Sequence, residues 1–305
     1  MNMVDLSVKL DKLSLRNPTV LASGILGADG YQLCRAAAEG GFGALTTKSF
    51  TYEAREGYLP PIVAYVKAGL LNAVGLTNPG FKKIPEVVGV AKKSGVPVIV
   101  SIAGSSVNEF VEMSMVAENA NADAIELNLS CPHVKMHGLE IGHDPSYVAR
   151  IVKEVSAAVS IPVFIKIGYT DNYLNVVSKA LDCGARGVTA INTIKGMAID
   201  VYARRPVLSN KFGGLSGPAI HPIAVKVVYD IYKEFKVPII GVGGVMDWKD
   251  AIEFILAGAS AVGIGTAIAF YGLSVTRDIL EGIKRYMEGE GFRRISELIG
   301  LAHEE

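Results

Sequence analysis

The chain has 305 residues and a formal net charge of zero, with 30 Lys+Arg against 30 Asp+Glu; hydrophobic residues make up 50% and glycine is frequent, at 33 copies. That length accommodates one large α/β barrel or two average domains, and the apolar content excludes a disordered chain. The balanced charge argues against a nucleic-acid binder, which needs a clear excess of Lys and Arg, and no apolar run reaches the roughly 18 residues of a membrane-spanning helix.

The start, MNMVDLSVKLDKL, lacks the basic-then-apolar layout of a signal peptide. Cys34, Cys131 and Cys183 are scattered without a CxxC pair, so neither a disulfide framework nor a metal site is expected. These features describe a soluble protein of a reducing, cytoplasmic compartment. VDLSVKLDKLSL alternates with period two and predicts a hairpin. Eight short apolar runs follow: 19–24, 44–49, 96–104, 123–130, 161–168, 187–192, 237–244 and 260–266. Each is nearly continuous, as parallel strands buried on both faces require. Helical three- and four-residue spacing marks 108–120, 145–159, 172–184, 221–235 and 248–258. This alternation predicts a (β/α)8 TIM barrel, one domain over 1–305, with the hairpin across its floor. The alternative is an open doubly wound sheet with a small second domain. Two long connections, about 50–95 and 194–220, belong to the C-terminal face, where barrel active sites sit.

The strand ends carry the chemistry. In order they are Ser23, Lys48, Ser49, Ser101, Asn128, Ser130, Cys131, Lys166, Asn192, Thr193, Gly243, Gly244, Gly265 and Thr266. Any one of them alone reads as a cap or a solvated terminus; together they converge on one mouth and fit a small-molecule site. GVGGV and VGIGT, from the last two strands, are placed where barrels build phosphate sites, because glycine admits close approach of backbone N–H groups. A lysine in such a mouth needs an anion. Lys48 and Lys166 therefore suit either charge on a reduced flavin or a Schiff-base role. Cys131, in NLSCPH, sits on a loop fixed by Pro132, where a tuned thiolate serves as base or nucleophile. His133 is an activating partner, a substrate contact or a solvated loop residue. Asn72, Asn78, Asn128 and Asn192 offer amides to a heterocycle with imide edges, with a plain surface turn as the simpler reading of Asn78 before Pro79.

LRNPTVLASG, TTKSFT, NAVGLTNPG, NLSCP, IKIG, INT and RRPVLSNKFGGLSGPAI together resemble the dihydroorotate dehydrogenases, FMN-containing barrels of pyrimidine synthesis. The resemblance covers nearly the whole chain. It implies FMN contacts at Ser23, Lys48, Ser49, Ser101, Asn128, Lys166, Ile191, Gly217, Gly243, Gly244, Gly265 and Thr266. Orotate contacts are implied at Lys48, Asn72, Ala73, Val74, Gly75, Leu76, Asn128, His133, Asn192 and Thr193, with Cys131 as the base that takes the C5 proton. A Cys base is similar to class 1, and the RRPVLSN and GGLSGPAI wording to class 1B. The resemblance thus implies a homodimer joined to an electron-transfer subunit with FAD and a [2Fe–2S] cluster, linked to NAD, in a heterotetramer. Two positions depart from the family's pattern: His133 and Ser101 stand where the family often has Asn. SCPH also occurs in dihydropyrimidine dehydrogenases, which keeps uracil or thymine as an alternative substrate. A non-redox phosphate-binding barrel leaves Cys131 and the Asn set unexplained.

Overall fold

The computed structural model describes residues 4–129, 135–136 and 139–303. Cys131 and His133 lie outside the described residues. The N-terminal hairpin forms as expected: β1 (Val8–Leu10) and β2 (Leu13–Leu15) pair antiparallel, with Leu10 opposite Leu13. Its inward residues join the main core, and its chain feeds directly into the first barrel strand, β3 (Thr19–Leu21). The hairpin therefore closes the end of the barrel opposite the strand C-termini.

Next come β4 (Ala44–Thr46) and then β5 (Val63–Val66) with β6 (Gly69–Asn72), both inside the first long connection. The barrel continues with β7 (Val98–Ile102) and β8 (Ala124–Asn128). A two-residue pair, β9 (Lys135–Met136) and β10 (Leu139–Glu140), precedes β11 (Val163–Ile167) and β12 (Gly187–Ala190). The second long connection holds β13 (Ile194–Gly196), β14 (Ile199–Asp200), β15 (Arg205–Pro206) and β16 (Gly213–Ser216). The last two strands are β17 (Ile239–Val242) and β18 (Ala261–Ile264).

Strands β3, β4, β7, β8, β11, β12, β17 and β18 close into one parallel barrel, with β18 returning to β3. Every residue of β7, β8 and β11 is buried, which explains why these runs read as continuously apolar rather than alternating. Helices between the strands pack outside. They include α1 (Gly30–Gly40), α2 (Ile84–Ala91), α3 (Val107–Asn119), α4 (Pro145–Ala158), α5 (Tyr173–Asp182), α6 (His221–Phe235) and α7 (Trp248–Leu256); α3, α4 and α7 are begun by Ser106, Asp144 and Asp247, whose side chains accept from first-turn amides.

The two long connections are not structureless. Their strands assemble a second, four-stranded antiparallel sheet in the order β13-β16-β6-β5. Leu71 lies opposite Leu215, and a small core of Leu71, Ala73 and Leu208 sits beneath it. This sheet stands beside the barrel mouth and forms one wall of the cavity described next.

Candidate active site

Between the barrel mouth and the added sheet lies a cavity of about 510 Å³, a size suited to a cofactor-scale ligand. Its walls gather most of the residues singled out in the sequence. Ser23, Lys48, Ser49, Asn128, Lys166, Ile191, Gly217, Gly243, Gly244, Gly265 and Thr266 line it, as do Asn72 through Leu76, Asn192 and Thr193. Ser101 is fully buried and stands one layer behind this wall. Asn78 is corrected from a surface turn: it is 5% exposed and holds the connection together. Its Oδ1 accepts from the amides of Thr51 (3.1 Å) and Gly80 (2.9 Å), while Nδ2 donates to Thr51 Oγ1 (2.8 Å) and the Leu76 carbonyl (2.7 Å).

Ser101 belongs to a buried polar chain anchored by Glu126, a residue the sequence reading did not single out. Glu126 sits mid-strand in β8, 2% exposed. Its carboxylate lies 3.8 Å from Lys166 Nζ and accepts from Ser101 Oγ at 2.9 Å. Each serine hydroxyl has one proton to give. Because Ser101 spends its proton on Glu126, it accepts from Ser49 Oγ (2.9 Å), and Ser49 in turn accepts from Asn128 Nδ2 (2.9 Å). A single buried charge thus fixes the orientation of the Asn128 amide two hydroxyls away.

The two lysines differ. Lys166 is neutralised by Glu126. Lys48 is partly buried, has no carboxylate partner among the described residues, and burial alone holds its pKa below the usual lysine value. It is a cation set in the cavity wall with no counter-charge among the described residues.

Backbone amides add to this field. The carbonyls of Val74, Gly75 and Leu76 accept from Tyr58 N (3.1 Å), Arg55 Nε (3.3 Å) and Asn78 Nδ2 (2.7 Å). In a trans peptide the following N–H points the opposite way, so the amides of Gly75 and Leu76 turn from these partners toward the cavity they line. Neither donates to an acceptor among the described residues. Leu76 holds φ at 57°, a left-handed conformation costly for a bulky residue. Asn72 Nδ2 donates to the Gly214 carbonyl (3.1 Å), tying this turn to β16.

At the far end, the turns after β17 and β18 present the amides of Gly244, Gly265 and Thr266, which also donate to no acceptor among the described residues. Gly244 has φ +71°, and a Cβ there would stand 2.7 Å from the Gly217 carbonyl oxygen. The backbone packing of this cradle excludes a side chain, which fits a phosphate group held by main-chain N–H donors.

A closed parallel barrel, with a glycine cradle at its last two strands and cations and amides around a cavity at its mouth, defines a protein of the TIM-barrel class with its cavity where such barrels carry their active sites. The sequence model of the family described as dihydroorotate dehydrogenase matches residues 5–287. A Pyrococcus furiosus protein named dihydroorotate dehydrogenase B (NAD(+)), catalytic subunit, is 48% identical over 301 residues, covering 98% of this chain and 99% of the relative. A Thermoplasma volcanium protein of the same name is 45% identical over 300 residues, with 98% and 99% covered. An Aeropyrum pernix relative, whose name assigns it to the A (fumarate) type, is 47% identical over 300 residues, with 98% of each chain covered. The chain belongs to the dihydroorotate dehydrogenase family and is an oxidoreductase. Among the described residues, no helix is long and apolar enough to cross a membrane.

Proposed function

We propose that the chain binds FMN and oxidises dihydroorotate to orotate in the synthesis of UMP. The observation that carries this reading is Lys48, a partly buried cation with no anionic partner among the described residues, facing a cavity walled by amides. A pyrimidine carboxylate supplies the missing anion, and the Gly75 and Leu76 amides supply donors for it. Asn72, Asn128, Asn192 and Thr193 take the ring's imide edge. The cradle of Gly217, Gly243, Gly244, Gly265 and Thr266 takes the FMN phosphate. Ser23, Ser49, Lys166 and Ile191 hold the flavin ring, with Ser101 supporting Ser49 from behind.

In this reading Cys131 Sγ removes the C5 proton of dihydroorotate, a weakly acidic position that needs a base within hydrogen-bond reach. FMN, when bound, supplies the acceptor for the C6 hydride. Lys48 offsets negative charge in the cavity, Lys166 stays paired with Glu126 beside it, and the Glu126 chain keeps the Asn128 amide in one orientation. His133, for which the family resemblance implies a substrate contact, keeps the uracil or thymine reading as the competitor.

The chain works as a homodimer and passes electrons to NAD through a second subunit carrying FAD and a [2Fe–2S] cluster, in a heterotetramer. In support, the Pyrococcus and Thermoplasma relatives are named as catalytic subunits of the NAD(+) type. This chain's three cysteines are also too few for the four thiolates of such a cluster. The protein is placed in the cytoplasm.

The test is to denature the purified protein, identify the released flavin by mass, and assay orotate formation. FMN in the supernatant and orotate from dihydroorotate support the proposal. Failure to take up FMN on reconstitution, or turnover of dihydrouracil alone, overturns it.

A further inference from the structure

The glycine turn after β17 has a support outside the cavity. His221, the first residue of α6 (His221–Phe235), is 8% exposed and does not line the cavity. Its Nδ1 lies 2.8 Å from the Gly243 carbonyl oxygen, and its Nε2 lies 3.1 Å from Glu253 Oε2 on α7. Asp250 Oδ1 is 3.8 Å from the same nitrogen, and the edge of the ring packs on Phe254, 5.0 Å between centroids.

A carbonyl oxygen only accepts, so Nδ1 carries a proton. Nε2 faces the Glu253 carboxylate, which holds the ring from its other side. The Gly243–Gly244 peptide is trans, since the only cis bonds among the described residues are Pro60–Pro61 and Ala190–Ile191. Anchoring the Gly243 carbonyl on His221 therefore aims the Gly244 N–H the opposite way, toward the cavity that both glycines line. A proton donor on the oxygen also polarises the amide and strengthens its N–H as a donor. The fit is tight: a Cβ on Gly244 would stand 2.8 Å from His221 Cβ.

We infer that His221 is a positioning residue for the cofactor's phosphate. It links the Glu253 carboxylate to the Gly243 carbonyl, and through that peptide to the Gly244 N–H that meets the phosphate. This rests on the FMN reading above, and the ligand feature it recognises is a phosphomonoester dianion rather than the flavin ring.

The test compares FMN with riboflavin, which shares the ring and lacks the phosphate. Flavin-free protein and its His221→Phe and His221→Gln variants are titrated with each, following quenching of flavin fluorescence. Wild type binds FMN more tightly than riboflavin. His221→Phe keeps the aromatic packing on Phe254 and loses the relay, so its FMN affinity falls by about three- to tenfold, the range for one ordinary hydrogen bond, while its riboflavin affinity holds. His221→Gln, which retains one donor, falls between, and carries the comparison should the Phe variant not fold. An FMN-to-riboflavin ratio unchanged within about twofold, below the effect of one such bond, overturns the inference. So does equal weakening of both flavins. Wild-type protein that binds neither flavin instead refutes the FMN reading itself.

Discussion

Replacing Lys48 by Met separates its cost to the fold from its use in binding. Met keeps the apolar stem and removes the charge. Lys48 has no carboxylate partner among the described residues, and burial alone lowers its pKa from the ordinary 10.5. In ligand-free protein the charge is a net cost, so Lys48→Met is expected to raise stability by on the order of 1 kcal/mol, a fraction of the penalty for a fully buried ion. The pH dependence follows from the direction of the shift. Between the lowered folded value and 10.5 the unfolded chain holds more protons, so wild-type stability rises with pH in that window. The Met variant loses this component of the slope. Binding changes in the opposite sense: loss of a charge-assisted bond to a carboxylate costs about 1.5–3 kcal/mol, roughly 10- to 150-fold in orotate affinity. Urea unfolding of the ligand-free protein from neutral to alkaline pH, and orotate titration calorimetry of the flavin-loaded protein, read the two effects. A variant that is less stable by more than about 1 kcal/mol and binds orotate normally would refute the reasoning, since Lys48 would then be paired within the fold.

Three other substitutions probe the site. Glu126→Gln leaves Lys166 buried beside a neutral amide and is expected to cost about 3 kcal/mol in urea unfolding; a loss below about 1 kcal/mol would show that the pair contributes little. Asn78→Ala removes four hydrogen bonds behind the Leu76 turn. It should destabilise by about 2–4 kcal/mol and raise KM for dihydroorotate more than it lowers kcat; an unchanged KM would uncouple the turn from substrate. Cys131→Ala should retain FMN and slow anaerobic flavin reduction by about 100-fold or more, the scale of general-base catalysis. Full activity would remove Cys131 from its role.

The barrel was legible because parallel strands buried on both faces leave continuous apolar runs, and the polar strand ends stood out against them. The added sheet was not. Leu71 meets Leu215, and Asn72 meets Gly214, across more than a hundred residues of chain, and Gly213 and Gly214 have little strand propensity of their own. Glu126 read as one polar residue in an apolar run; only the pairing of β8 with β7 and β11 sets it between Ser101 and Lys166. A carboxylate in the middle of an otherwise apolar stretch of β8 was the available signal, since such a group needs a buried partner. Asn78 resembled a turn residue because Asn-Pro favours turns locally, whereas its side chain bonds Thr51, far back in the chain. His221 left no sequence signal, for its partners Gly243 and Glu253 come from two other elements.

Anaerobic addition of dihydroorotate to the flavin-loaded protein is the most direct test of the chain as a flavin-dependent dihydroorotate dehydrogenase. The visible flavin band should bleach with one equivalent of dihydroorotate per active site and stay unchanged with dihydrouracil. A band that survives excess dihydroorotate, or bleaches with dihydrouracil in its place, would contradict the assignment.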